Sequence, residues 1–260
     1  MAVRGSARLP LPVTPPGRGK VKVKAKAKAK AKVTAALAPV DDDVRGRVLN
    51  AAVKLIDRVG LAGVSMREVA RAAGVSHQAP YHYFQDREAI FAALAEEGFK
   101  ILTLRLESLV ASAEPAVERM VQAGRTYVEF ALDHATLFRI MFRPDLVAIE
   151  RFPSASACGE RAFQTVPALV QACIAEGLPA EPSVQALVIL AWSIPHGLAC
   201  LILDGPLAKT IPDAALARES VTRDVMAAMR GLLVARSGET QAPPGSGKKA
   251  RAPLAPRRGG

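Results

Sequence analysis

Ser76, His77, Gln78, Tyr81 and His82 lie close together just after an Ala73-Gly74-Val75 turn. These side-chain types suit a nucleic-acid edge. The Gln78 carboxamide can donate and accept at once against adenine, and the His77 imidazole can bond a purine edge. A second cluster lies in an apolar stretch far along the chain, where His196, Cys200 and Asp204 recur every four residues and share one helical face. Zinc accepts such ligands, but a second helix would have to complete the set, and none is identifiable. The expectation is therefore a buried His and Cys, with Asp204 near a helix end and no metal. The chain has no nucleophile elbow, glycine-rich phosphate loop or His-Glu-x-x-His. No enzyme activity and no cofactor are expected.

The elements that must position the first cluster are legible. Val48, Ala52, Leu55, Ile56 and Val59 make an apolar stripe on one helix, and Gly60 ends it. Ser65-Met66-Arg67-Glu68 is a capping box that opens a second helix running to about Ala73. Gly74 permits a tight turn, Val75 pins the next helix, and small Ala70 lets the two helices touch. Ser76 is expected to cap a third short helix through Phe84. Asp86 is expected to cap a fourth, whose Phe91, Leu94, Gly98, Ile101 and Leu102 face inward. Two short helices joined this way form a helix-turn-helix, whose second helix presents its N-terminal polar residues to the major groove. Tyr83 and Phe84 are expected in the core.

Helices are predicted further on at about 115–133, 135–142, 155–176, 182–204 and 213–236. Pro115, Pro182 and Asp213 lie near starts, and Gly177 and Gly205 near ends. Val184–Leu203 is long enough to tempt a transmembrane reading. Gln185, Ser193, Pro195 and His196 interrupt it and basic anchors are missing, so a buried core helix is expected and no membrane partner. Pro195 removes a backbone N–H between Trp192 and His196, which tends to kink the helix. Those two residues are the candidate ligand contacts in an apolar pocket; the alternative is that they only shape the packing. Val221, Val225, Met229 and Leu232 form a stripe on the last helix that a single chain would leave partly exposed.

Composition divides the chain. Half of its 260 residues are hydrophobic but only 5% are aromatic, which favours helices over sheets. The net charge is +11, yet residues 1–40 alone carry +10 and 237–260 carry +4, leaving 41–236 at −3. Lys20 to Lys32 alternate with Val or Ala; as a strand one face would be all lysine, so a disordered cationic arm is expected. An upstream start codon is another origin for that arm. Leu9–Val13 is too short and proline-broken for a secretory signal. Three scattered cysteines, Cys158, Cys173 and Cys200, support no disulfide framework and fit a reducing, cytoplasmic setting. The expected organisation is a disordered Lys-rich tail (1–40), a helix-turn-helix DNA-binding domain (41–101), a helical effector-binding and dimerisation domain (102–236) and a disordered basic tail (237–260).

Residues 45–94 resemble the DNA-binding domain of the TetR family of bacterial transcriptional regulators. The resemblance rests on Arg47-Val48-Leu49-Asn50-Ala51-Ala52, Gly60, Ser65 through Ser76, Tyr81-His82-Tyr83-Phe84 and Asp86-Arg87-Glu88-Ala89-Ile90. Pro80 departs from the aliphatic residue usual before the first Tyr, which bears on operator preference. The resemblance implies that Tyr81 and His82 contact phosphates and that Arg87 neutralises one; the alternatives are that Arg87 is solvated and that His82 only packs against the next helix. Ser76, Ser65 and Arg67, the last two at the N-terminus of the second helix, complete the expected DNA-contact set. Asp133 through Phe142, Trp192-x3-His196-Gly197 and Asp204-Gly205-Pro206-Leu207 resemble a recurring C-terminal domain of the same regulators. That implies an all-α homodimer, with a three-helix DNA-binding domain followed by a helical ligand-binding and dimerisation domain. The expected function is a repressor that a small-molecule effector releases from a double-stranded DNA operator. The rival reading is a nucleoid-type coating protein driven by the basic tails.

Overall fold

A computed structural model describes residues 44–205, 207 and 214–239. Among these are eight α-helices and no strand: α1 (Val44–Val59), α2 (Met66–Ala73), α3 (Arg87–Val110), α4 (Ala116–Asp133), α5 (Ala135–Met141), α6 (Pro153–Ala175), α7 (Val184–Leu203) and α8 (Ala214–Glu239). Short 3-10 segments lie at Leu61–Gly63, Ala79–His82 and Ile149–Arg151. The expected tail 1–40 and the acidic run Asp41–Asp43 lie outside the described residues, as do Asp213 and residues 240–260. α8 continues to Glu239, so residues 237–239 are helical.

The local signals act as their chemistry dictates. Val48, Ala52, Leu55 and Ile56 are buried along α1, whereas Val59, one turn on, is exposed. Ser65 caps α2 by accepting the Glu68 N–H at 3.3 Å. The Glu68 carboxylate returns to the Ser65 hydroxyl at 3.0 Å, where a full capping box would reach the backbone N–H. Asp86 caps α3 through the Ala89 N–H at 2.9 Å, and Ser183 caps α7 through the Ala186 N–H at 3.1 Å. α7 runs through Pro195 as one unbroken helix.

α3 is the axle of the described structure. Its N-terminal half packs with α1, and its length lies along α4, α5 and α6. α4 in turn packs against α7 and α8. One continuous core links Val48, Leu55, Ile90 and Phe91 at one end with Phe130, Ile140, Leu169 and Met226 at the other. Polar clasps reinforce the join. The Thr136 hydroxyl of α5 donates to Asp57 of α1. Glu88 of α3 accepts the Ala148 N–H at 3.0 Å and pairs with Arg151 at 2.9 Å.

α7 is long and apolar enough to cross a membrane by length and composition, with mean hydropathy 2.1. It also departs from the buried core helix expected. Leu187, Pro195, Leu198, Ala199 and Ile202 are buried, but Ile189, Leu190 and Leu201 are exposed. On α8 the expected stripe divides in the same way: Met229 is buried, Val221 and Val225 are half-buried, and Leu232 is 61% exposed. Two adjacent helices therefore carry apolar side chains that the described residues do not cover.

Candidate functional site

The turn between α2 and the next segment is a Schellman closure. Gly74 adopts φ 66°, its N–H bonds the Arg71 carbonyl at 3.2 Å, and the Val75 N–H reaches back to Ala70 at 3.1 Å. A side chain at Gly74 would be strained in that left-handed conformation. The turn redirects the chain so that residues 76–83 run across the outside of the N-terminal helices.

The expected third α-helix is corrected to a 3-10 segment, Ala79–His82, with turns on either side. The cause is Pro80, which has no N–H to donate to Ser76. The bonds that form are tighter: Ala79 N–H to Ser76 at 3.0 Å, Tyr81 N–H to Gln78 at 3.1 Å and Tyr83 N–H to Pro80 at 3.0 Å. Pro80 and Phe84 face inward and the three residues between them face out. Tyr83, expected in the core, is accordingly 45% exposed, while Phe84 is buried as expected. Tyr83 is thus a surface aromatic that sequence reasoning missed; the signal was the Pro80–Phe84 spacing of four.

Ser65, Arg67, Ser76, His77, Gln78, Tyr81, His82 and Arg87 are all exposed. His77 and Tyr81 meet with ring centroids 5.9 Å apart. Arg87 is not simply solvated. Its guanidinium donates to the Val64 carbonyl at 3.4 Å and lies over the Phe91 ring at 5.5 Å. Arg45 lies over Phe84 in the same manner at 5.7 Å. The face therefore combines exposed polar side chains with cations anchored on the aromatic residues beneath them.

The second predicted site is a half-buried aromatic centre. His196 lies 4.8 Å from Phe142, 5.4 Å from Trp192 and 5.5 Å from Phe138, ring centre to ring centre. Phe163 meets Trp192 at 5.0 Å. Through this shell runs a line of polar groups. The Trp192 indole N–H, which can only donate, points to the Tyr127 oxygen at 3.4 Å. Tyr127 Oη is 2.8 Å from His196 Nδ1, and His196 Nε2 is 3.6 Å from Cys200 Sγ. If each donor is used once, the tyrosine proton goes to Nδ1 and the Nε2 proton faces the sulfur. Burial pushes the Tyr127 hydroxyl far above its ordinary value and holds the His196 imidazole below its own. Burial, with Asp204 nearby, also raises the Cys200 thiol. The centre is neutral: hydrogen-bonding groups without a formal charge, inside an apolar wall. Tyr127 was missed from the sequence, being 69 residues from its partner. Asp204 does not join His196 and Cys200. Its carboxylate is held by Arg139, with contacts of 2.7–3.2 Å.

Comparison with known proteins covers both parts. Residues 48–94 match the family described as bacterial regulatory proteins, tetR family, and residues 120–235 match the tetracyclin repressor-like C-terminal domain. Two curated relatives from Mycobacterium tuberculosis, each described as an uncharacterized HTH-type transcriptional regulator, are 30% identical over 91 residues. That alignment covers 35% of this chain and 45% of each relative, so the chain spans under half the length of these curated relatives. Among solved structures, a Rhodococcus protein of unknown function is 30% identical, with TM-score 0.58, over 75% of this chain and 96% of its own. A TetR family transcriptional regulator from Thermus thermophilus shares the fold at 22% identity and TM-score 0.57, over 73% of this chain and 97% of its own. A ketosteroid transcriptional regulator of Mycobacterium tuberculosis does so at 18% and 0.58, over 74% and 95%. The two family matches fall in order on the helix-turn-helix and on the helical part behind it, and together they span more than half of the sequence: the chain belongs to the tetR family of bacterial regulatory proteins.

Proposed function

We propose that the protein is a sequence-specific DNA-binding transcriptional regulator that works in the cytoplasm as a homodimer, a repressor released from its operator by a small molecule. The observation that carries this reading is the row of exposed polar side chains, Ser76 to His82, held outward by the Gly74 turn and the inward anchors Pro80 and Phe84. Gln78 and His77 read base edges; Ser65, Arg67, Ser76, Tyr81, His82 and Arg87 engage phosphates and fix the register.

The homodimer reading is supported by the uncovered apolar side chains of α7 and α8, Ile189, Leu190, Leu201, Leu232 and Val234. Two copies of this pair would form an isologous four-helix interface and carry two recognition segments to successive major grooves. That arrangement also accounts for the apolar length of α7 without a membrane.

Trp192 and His196 are the proposed effector contacts, with Tyr127 between them. Phe163 touches Trp192 and is itself 40% exposed, and Trp192 is only half-buried, so the centre is reachable from solvent on this side. Phe99 of α3 meets Phe142 and Phe163, which ties the centre to the helix that begins at the DNA-binding face. A ligand that separates these rings favours a different setting of α3 and a dimer that no longer spans two grooves.

Selection of bound duplexes from a random pool tests the central reading. A defined, two-fold symmetric motif is expected, and recovery of unenriched sequence overturns it. The effector reading has its own readout, because Trp192 is the sole tryptophan. Its emission should change over the same ligand concentrations that free the operator.

A further inference from the structure

A second cleft lies away from the aromatic centre, between the end of α3, the outer face of α4 and α8. It has a volume of about 390 Å3 and is lined by three arginines, Arg119, Arg125 and Arg230, and by Glu114 and Glu118. With Glu176, which reaches Arg119, three carboxylates stand near three arginines, but the pairing is incomplete. Arg230 pairs with Glu118 at 2.5 Å. Arg119 donates to the Val110 carbonyl at 2.8 Å and pairs with Glu176 at 3.5 Å, but its Nε is buried and has no acceptor. Arg125 makes no hydrogen bond or ion pair with any described residue, and its Nε is likewise buried without an acceptor.

Two unsatisfied guanidinium donors in one cleft are unusual, because buried polar groups in folded proteins nearly always find partners. A cation held partly out of water gains most from an anion. The planar guanidinium fork matches the paired oxygens of phosphate or carboxylate. We propose that this cleft is an oxyanion site anchored by the unpaired Arg125 guanidinium, with Arg119 beside it, that takes a phosphate or carboxylate group. Glu118 is already neutralised by Arg230, so it offers little repulsion. The site is separate from the neutral aromatic centre and does not depend on what that centre binds.

The test is thermal unfolding of the full chain with inorganic phosphate, against sodium chloride of equal ionic strength. An anion that binds only the folded cleft raises Tm by about 5 °C near saturation. Binding to the basic tails contributes no such rise when it is equal in folded and unfolded chains. Sodium acetate, run in parallel, distinguishes a carboxylate from a phosphate preference. The rise should vanish in Arg125→Gln and persist in part in Arg125→Lys, which keeps the charge and loses the fork. Absence of a rise with both anions in the wild type overturns the proposal, as does a full rise in Arg125→Gln. Should Arg125→Gln lose its helical circular dichroism, Arg125→Lys carries the test: its apparent phosphate affinity should fall several-fold, and an unchanged affinity overturns the site.

Discussion

The helix-turn-helix and the aromatic centre solve opposite problems. In the first, the candidate contact side chains stand in solvent, and their neighbours hold the backbone in place. Ser76 to His82 make few contacts of their own; Gly74, Pro80 and Phe84 aim them. In the second, the chemistry-bearing groups are already partnered with one another, Trp192 to Tyr127 to His196 to Cys200, within a wall of phenylalanines. An exposed site can be built from one short segment, because only the backbone path matters. An enclosed site must recruit from several helices, because no single helix can surround a group. A third kind of surface, the exposed apolar side chains of α7 and α8, belongs to neither; in the proposed dimer a second copy completes it.

The largest expected effect breaks the third surface. Leu190→Asp puts a charge among exposed apolar side chains at the proposed centre of the dimer, and the cost should be about 2–4 kcal/mol of association. Sedimentation should show monomers, with operator affinity lost in parallel. A wild-type monomer that binds a half-site at full affinity would separate DNA reading from assembly.

Next comes the exposed site itself. Gln78→Ala and His77→Ala should each lose about 1–3 kcal/mol at the selected operator and almost nothing on random duplex. Equal losses on both would make them phosphate contacts and would weaken the contrast between reading and anchoring residues. Asp86→Ala removes the α3 cap and should lower stability by about 1 kcal/mol, read as a drop in Tm, with the base preference unchanged.

The smallest effect concerns the enclosed site and pH. Burial holds His196 below its ordinary pKa; burial and then the Arg105 guanidinium do the same for His134, against an opposing pull from Asp133. The folded chain thus binds fewer protons than the unfolded chain just below a pH of about 6.5. Stability is fully present above that pH and declines as pH falls from there toward the folded values. His196→Gln should flatten part of this decline in denaturant titrations at pH 5 to 7; an unchanged slope would mean that His196 does not contribute to it.

Legibility divides along the same line. Helix starts came through because a cap is a local event: Ser65 and Asp86 bond N–H groups three residues ahead. The outward placement of the DNA-contact candidates was legible because the turn chemistry around Gly74 is contained in a few residues. The error there was also local. The third helix is a 3-10 turn because Pro80 withholds a donor, and Tyr83 is turned outward with it. The effector candidates Trp192 and His196 were visible as a four-residue spacing, but their partners were not. Tyr127 and Phe138 lie on other helices, and periodicity says which face is apolar without saying what it faces.

By itself the sequence determined the helical class, the order of the helices, their caps and the helix-turn-helix with its outward polar residues, since each depends on interactions within a few residues. Only the tertiary structure decided which distant side chains meet. It set Tyr127 against His196, took Asp204 away to Arg139, left Arg125 without a counter-charge among the described residues and exposed Leu190 and Leu232 on neighbouring helices. Those outcomes depend on how whole helices pack. An apolar stripe is equally content against α4 or against a second chain, and a polar side chain takes whichever partner the packing brings within reach.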